Sequence, residues 1–507
     1  IGLLVVGLVA GLTLLPLGPL HGLIRGTLVR VLQEQTGRQV EVGPLRGLLW
    51  TGLRVDGLRI AEEGGFARGS LVAVERIRLG WNLLALLFHR DEPLRALNAI
   101  TVESPNIVVR RQADGVWELA RLLQPKTPRP KTPFRFGGTI TLRDARLRVI
   151  DEVAEKTGYS LAQIIEDVDL EARFDGQGDA RFTFSARDAE VADQIIIRNG
   201  RIALLAPSYT RIASIDAELD ARGLRLDAGA KIINVFLARW AVLHGGQITS
   251  LQGPLSLRLV DTAPGAKEAP VFDVGLALTA QLRNLDAEVR AFGKPFREVD
   301  GTLGIEMVRR DGQGPGRRDR ITVTAGRGMA GSTPVRVDGA INDFRQRLSF
   351  DLRVRSDALV VSEIANALPK IPALRPLRGY GTSRVDVGVS GQLTNLRLYG
   401  WAQPGGVGWG DWATVAGGLV RFDLRRTPPN QGLAGLAGRL ELNNVSGRTR
   451  FVNAPLRRIY GQVSLGPDRL TFHRLRLLAG EAAVAVDGRI DRVTQPRRQV
   501  LALAVAA

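Results

Sequence analysis

The chain of 507 residues contains no cysteine. That excludes disulfides, thiolate catalysis and any metal held by sulfur. Histidine is scarce too: His21, His89, His244 and His473 are the four, and no two stand at a metal-ligand spacing. No Walker A sequence and no Gly-x-Ser-x-Gly elbow occurs. "GGVGWG", Gly405 to Gly410, lacks the dinucleotide spacing and a strand–turn–helix context, and reads as a loop. The acidic pairs Glu62-Glu63 and Asp91-Glu92 have no partner that spacing assigns. The expectation is a non-enzymatic chain without cofactor or metal. Aromatics are sparse at 6%. "RFTFSAR" and "PFRFGG" mix Phe with Arg as a single-strand nucleic-acid binder does, but strand-core Phe beside outward Arg accounts for them, and no nucleic-acid partner is expected.

What is present points to strands. Hydrophobic residues make up 45% and charged residues 24%, a folded composition. Fifty-eight glycines separate short apolar runs, as turns separate strands. The formal charge of +18 comes from arginine spread evenly along the chain, which suits solvated strand faces as well as it suits a nucleic acid, an acidic polymer or an anionic membrane surface. In "LSFDLRVRSD", Leu348, Phe350, Leu352 and Val354 alternate with Ser349, Asp351, Arg353 and Arg355. A two-residue period puts the first set on one face and the second on the other. The same alternation aligns Leu255, Leu257 and Leu259; Phe272, Val274, Leu276 and Leu278; Val385, Val387 and Val389; and Val420, Phe422 and Leu424. These residues are the candidate lining of one apolar surface. Over the roughly 380 residues of the strand body, about 35 strands of about 11 residues each, turns included, are expected.

Organisation along the chain is legible in outline. Ile1 to Leu20 carries no charge and matches the length that crosses a bilayer, so residues 1–22 read as a transmembrane anchor. Residues 23–124 read as a β-rich region with short helices, among them "GVWELARLL". "QPKTPRPKTP" supplies a Pro-rich, basic linker at 125–133. Residues 134–507 read as a repetitive strand body with one clear helical interruption, Val361 to Ile371. Within that body "EVDGTLGIEM" and the segment after it echo "RIYGQVSLGPDRLTF" and its sequel. Both share a Gly-started strand, a hairpin, a Val-Asp-Gly and a final strand. A repeat of this size implies stacked units that bury their faces with help from neighbours.

With "LPKIPALRPLRGYGTSRVDVGVSGQLTNLRLYGWA", "GPLRGLLWTGLRVDGLRI" and "ITVESPNIVVRRQADGVWELARLL" in view, the chain resembles the AsmA-like superfamily, most closely its TamB type, the translocation and assembly module protein. The resemblance covers most of the chain and suits an N-terminal portion. It implies a mainly β fold: an elongated, repetitive single-layer sheet curled into an apolar groove, preceded by a transmembrane helix. It also implies a single-pass anchor in the bacterial inner membrane with the body in the periplasm. The implied partners are phospholipid acyl chains, the inner membrane and an outer-membrane barrel protein met through a C-terminal domain that is not recognised here.

Three functions compete. A lipid-conducting groove would support phospholipid transport between the two membranes and outer-membrane biogenesis. A chaperone-like scaffold would accept strands of outer-membrane proteins along a sheet edge, aiding their assembly or secretion. An extracytoplasmic β-helix enzyme would act on polysaccharide. The alternation itself also suits a closed sandwich or barrel, so burial of the stripe decides between open and sealed.

Overall fold

The structure, a computed structural model, describes residues 25–506 apart from 27–28, 31, 35, 49–51, 83–96, 113–117, 119–135, 153–160, 189–191, 205–211, 227–240, 260–271, 290–293, 309–318, 345, 364–376, 380, 393, 411–412, 427–435, 451, 467 and 494–497. The expected anchor at 1–22 and linker at 125–133 lie outside the described residues. So do most of "GVWELARLL" and of the expected helix after Val361, of which Glu118 and Val361 to Glu363 are described and helical. Among the described residues no helix is long and apolar enough to cross a membrane.

The fold is mainly β, a mixed sheet of 27 described strands. Of these, β7 to β27 lie in the expected body at 134–507, fewer than the roughly 35 expected there, because the strands run long. The longest span 19 and 18 residues, carried through interior Gly and Pro. The chain divides into two compact units, residues 1–236 with 250–278 and residues 237–249 with 279–507.

The first unit begins with β1 (Val40–Val42), β2 (Leu45–Leu48), β3 (Gly52–Ala61) and β4 (Ser70–Trp81). β3 pairs antiparallel with β1, β2 and β4. Val40, Val42, Leu45, Val55 and Ile60 form a buried core there, against which Val29 and Leu32 of the preceding helical segment pack. β5 (Leu97–Glu103) and β6 (Asn106–Arg111) lie end to end along β7 (Gly137–Asp151), both parallel to it. The Pro-rich segment therefore falls within a connection between paired strands. β8 (Leu161–Asp175), β9 (Asp179–Asp188), β10 (Ala192–Leu204) and β11 (Ile212–Arg225) continue from β7 as an antiparallel meander. β12 (Ala241–Leu259) and β13 (Phe272–Val289) are shared between the units, with residues 250–278 in the first.

The second unit holds β14 (Lys294–Met307), β15 (Arg320–Ala330), β16 (Thr333–Asn342), β17 (Ser349–Val360), β18 (Leu377–Gly379), β19 (Thr382–Gln392) and β20 (Arg397–Gln403). β21 (Val407–Trp409), β22 (Ala413–Arg426), β23 (Leu436–Thr449), β24 (Val452–Gly466), β25 (Arg469–Ala479), β26 (Ala482–Asp491) and β27 (Val500–Ala506) complete it. From β14 to β27 each strand pairs antiparallel with the next, except that β18 and β21 form a side pair against β22.

A bulge recurs from strand to strand. Asp144, Asp167, Asn199, Ala325, Asn444 and Arg474 all adopt left-handed backbone, at φ of 48–53°, where their ladders slip register. A bulge bends its strand and increases its twist. The residue that follows is tucked in: Ala145, Val168, Val445 and Leu475 are all buried. Each bulge frees a backbone N–H for a partner outside the ladder. The Val-Asp-Gly echoes supply it: Asp300 Oδ1 accepts from Asn284 at 2.9 Å, Asp338 Oδ1 from Ala325 at 2.8 Å and Asp487 Oδ2 from Arg474 at 3.0 Å. The glycine of the triplet is required as well. Gly339 stands at φ 128°, and a Cβ there would lie 2.1 Å from the Asp351 carbonyl oxygen.

Candidate functional site: a half-exposed apolar face

Antiparallel partners directly opposite one another share a face, so the registers trace the candidate surface across the second unit. One row reads Leu303, Val323, Gly339, Leu352, Val389, Leu398, Leu424, Gly438, Leu465, Leu470, Ile490 and Leu501. It crosses twelve strands without one polar side chain. At about 4.8 Å per strand it runs on the order of 50 Å along the sheet. A second row reads Val337, Val354, Val387, Gly400, Phe422, Leu440, Val463, Phe472, Gly488 and Leu503. Glycines stand opposite the largest side chains, Gly400 beside Phe422 and Gly488 beside Phe472.

Ten candidate residues fall in this unit. Leu348 precedes β17 by one residue; Phe350, Leu352, Val354, Val387, Val389, Val420, Phe422 and Leu424 lie in the rows or beside them. All nine are half-buried, and Val385 alone is buried. A sealed core would bury a Leu or Phe almost completely. Asp351, Arg353 and Arg355 are exposed, as the alternation requires. The remaining candidates fall in the first unit. Leu255, Leu257, Leu259, Val274, Leu276 and Leu278 are half-buried there, with Arg258 exposed between two of the leucines. The Phe272 side chain lies outside the described residues. Sequence reading missed Leu398, Leu440, Val463, Leu465, Leu470, Phe472 and Ile490. The signal was available, since "RLYGWA", "GRLELNN" and "RLTFHRL" alternate in the same way.

The opposite face is ionic. Arg353 donates to both carboxylate oxygens of Asp386, Nε to Oδ1 at 2.7 Å and Nη2 to Oδ2 at 2.8 Å. Arg397 grips Asp423 in the same way at 2.8 and 2.7 Å. The guanidinium hydrogen bonds hold both carboxyls below the usual carboxylate range, against a smaller opposing effect of burial. Such forked pairs fix which residue stands opposite which, and so hold the apolar rows in line on the other side. Among the described residues no cluster of His, Asp or Glu is placed to hold a metal ion. The chain matches no protein-family model and no curated protein.

Proposed function

We propose that this chain is a lipid-carrying protein of the AsmA-like, TamB type: a single-pass anchor in the bacterial inner membrane, with a periplasmic single-layer sheet curled into an apolar groove. The groove supports phospholipid movement between inner and outer membrane, and with it outer-membrane biogenesis. The reading assigns no catalysis to the chain. The observation that carries it is the pair of apolar rows in the second unit, in register over many strands yet mostly half-buried, with Val463 buried and Leu501 exposed. Each methylene sheltered there contributes about 0.8 kcal/mol, so an acyl chain of about sixteen carbons gains on the order of 10 kcal/mol of shelter, as it does in the bilayer. Passage along such rows is close to neutral, and the direction is set elsewhere. The test is native mass spectrometry of the gently purified full chain. Copurified phospholipid, displaced when Leu352 and Leu440 are both changed to Asp, supports the reading; a lipid-free protein that gains none from vesicles overturns it.

A further inference from the structure

The ionic face of the second unit carries a feature that the lipid reading does not use. Arg327, Arg336, Arg355, Asp386 and Trp401 stand opposite one another on five consecutive strands of the ladder, in one cross-strand row. They line a cavity of about 550 Å³, together with Glu298, Asp300 and Asp357. Three arginines side by side repel one another, and their intramolecular partners satisfy them unevenly. Arg327 reaches Asp300 at 3.2 Å, but Arg336 stands 3.7 Å from Asp357 and Arg355 3.5 Å from Asp386. Both oxygens of Asp386 are already taken by Arg353. The cavity therefore offers guanidinium donors with capacity to spare. It also offers carboxylate acceptors in Asp357 and Glu298, and the indole of Trp401.

We infer that this cavity binds a short stretch of glycan. The charges decide the class. A phosphate or other anion accepts far more hydrogen bonds than it donates, and it would meet Asp357 and Glu298 as like charges. A cation would meet the arginines. A chain of sugar hydroxyls both donates and accepts, so it satisfies both kinds of wall, and its C–H face can lie on Trp401. The volume falls within the range of small-ligand sites. The inference does not rest on lipid carriage, since the charged row lies on the face opposite the apolar rows, although Val385 also borders the cavity.

The experiment is calorimetric titration of the full chain, in a detergent without a sugar headgroup, with chitotriose and maltotriose, and with inorganic phosphate as the competing probe. Saturable binding of at least one oligosaccharide is expected. Trp401→Ala should weaken it by roughly tenfold or more, Trp401→Phe should retain most of it, and Asp357→Asn should weaken it several-fold. If Trp401→Ala does not fold, Arg336→Gln, at an exposed position, takes its place with a several-fold loss expected. The inference is overturned if neither sugar binds at about 10 mM. It is also overturned if phosphate binds while both sugars are inert, or if sugar binding survives Trp401→Ala or Arg336→Gln unchanged.

Discussion

Asp338 Oδ1 accepts the backbone N–H of Ala325 at 2.8 Å, across the β15–β16 ladder, and Ala325 stands at φ 52°. The carboxylate satisfies the group that the bulge releases from the ladder. Ala325 is exposed, so water can take over its N–H, and Asp338→Ala should cost about 0.5–1.5 kcal/mol, the net worth of one hydrogen bond. Gly339→Ala should cost at least as much, because the new Cβ meets the Asp351 carbonyl oxygen at 2.1 Å in a backbone conformation that Ala resists. Urea unfolding of both variants measures this, and wild-type stability in Gly339→Ala would show that the bulge does not constrain the strand.

The forked Arg353–Asp386 pair predicts a pH dependence with a definite sign. Asp386 is held below its ordinary pKa, chiefly by the Arg353 hydrogen bond. A carboxylate whose folded-state pKa is depressed stabilises the fold above the ordinary carboxylate range, and the stabilisation is lost as pH falls through the depressed value. Acid should loosen the β17–β19 ladder in this window. Asp386→Asn should remove that part of the pH dependence while leaving neutral-pH stability lower than wild type. Amide exchange of β17 and β19 as pH is lowered from 6 towards about 3 reads it out; identical acid profiles for the variant and wild type would refute it.

Glu118 is fully buried, and Arg38 Nη2 donates to its Oε1 at 3.0 Å, with Arg110 3.7 Å from Oε2. Truncating it removes their shared carboxylate, but Arg38 keeps Glu63 at 3.4 Å and Arg110 keeps Glu62 at 2.9 Å. Glu118→Ala should destabilise the first unit by about 1–3 kcal/mol. Glu63→Ala removes an exposed partner of the same Arg38 and should cost no more than about 1 kcal/mol. Thermal melts of the two variants side by side make the comparison, and equal losses would place the energy elsewhere.

The alternation of Phe350, Leu352 and Val354 with Asp351, Arg353 and Arg355 was legible because a two-residue period needs no knowledge of neighbours. The bulges were not. Asn444 is of a type that tolerates left-handed backbone, but Asn is as common in turns, and nothing local marks Arg474 at all. The Val-Asp-Gly triplets stood out as an echo, but their meaning lies on the adjacent strand: Asp487 serves Arg474, thirteen residues earlier. Strand length was misjudged because glycine reads as a stop, whereas Gly253 lies within β12 and approaches the Ala277 backbone closely. The row from Arg327 to Trp401 is a tertiary product too, since five separate strands each give one residue to it.

The half-exposed rows and the buried bulge positions give the sharpest test, because they sit on one sheet and differ in cover. Val445 is buried behind the Asn444 bulge, whereas Leu440, five residues earlier on the same strand, is half-buried in the apolar row. Val445→Asp places an unpaired charge out of reach of water and should cost several kcal/mol. Leu440→Asp can turn its carboxylate to solvent and should cost about 1–2 kcal/mol, mainly lost apolar contact. If the rows carry acyl chains, Leu440→Asp should fold, retain its ladder by amide exchange, and hold less phospholipid than wild type. A variant that unfolds like Val445→Asp would mean that Leu440 lies in a sealed core. One that folds and holds its full complement of lipid would mean that lipid rests elsewhere. Only the folded, lipid-poor outcome is consistent with an apolar face kept open for a mobile hydrocarbon.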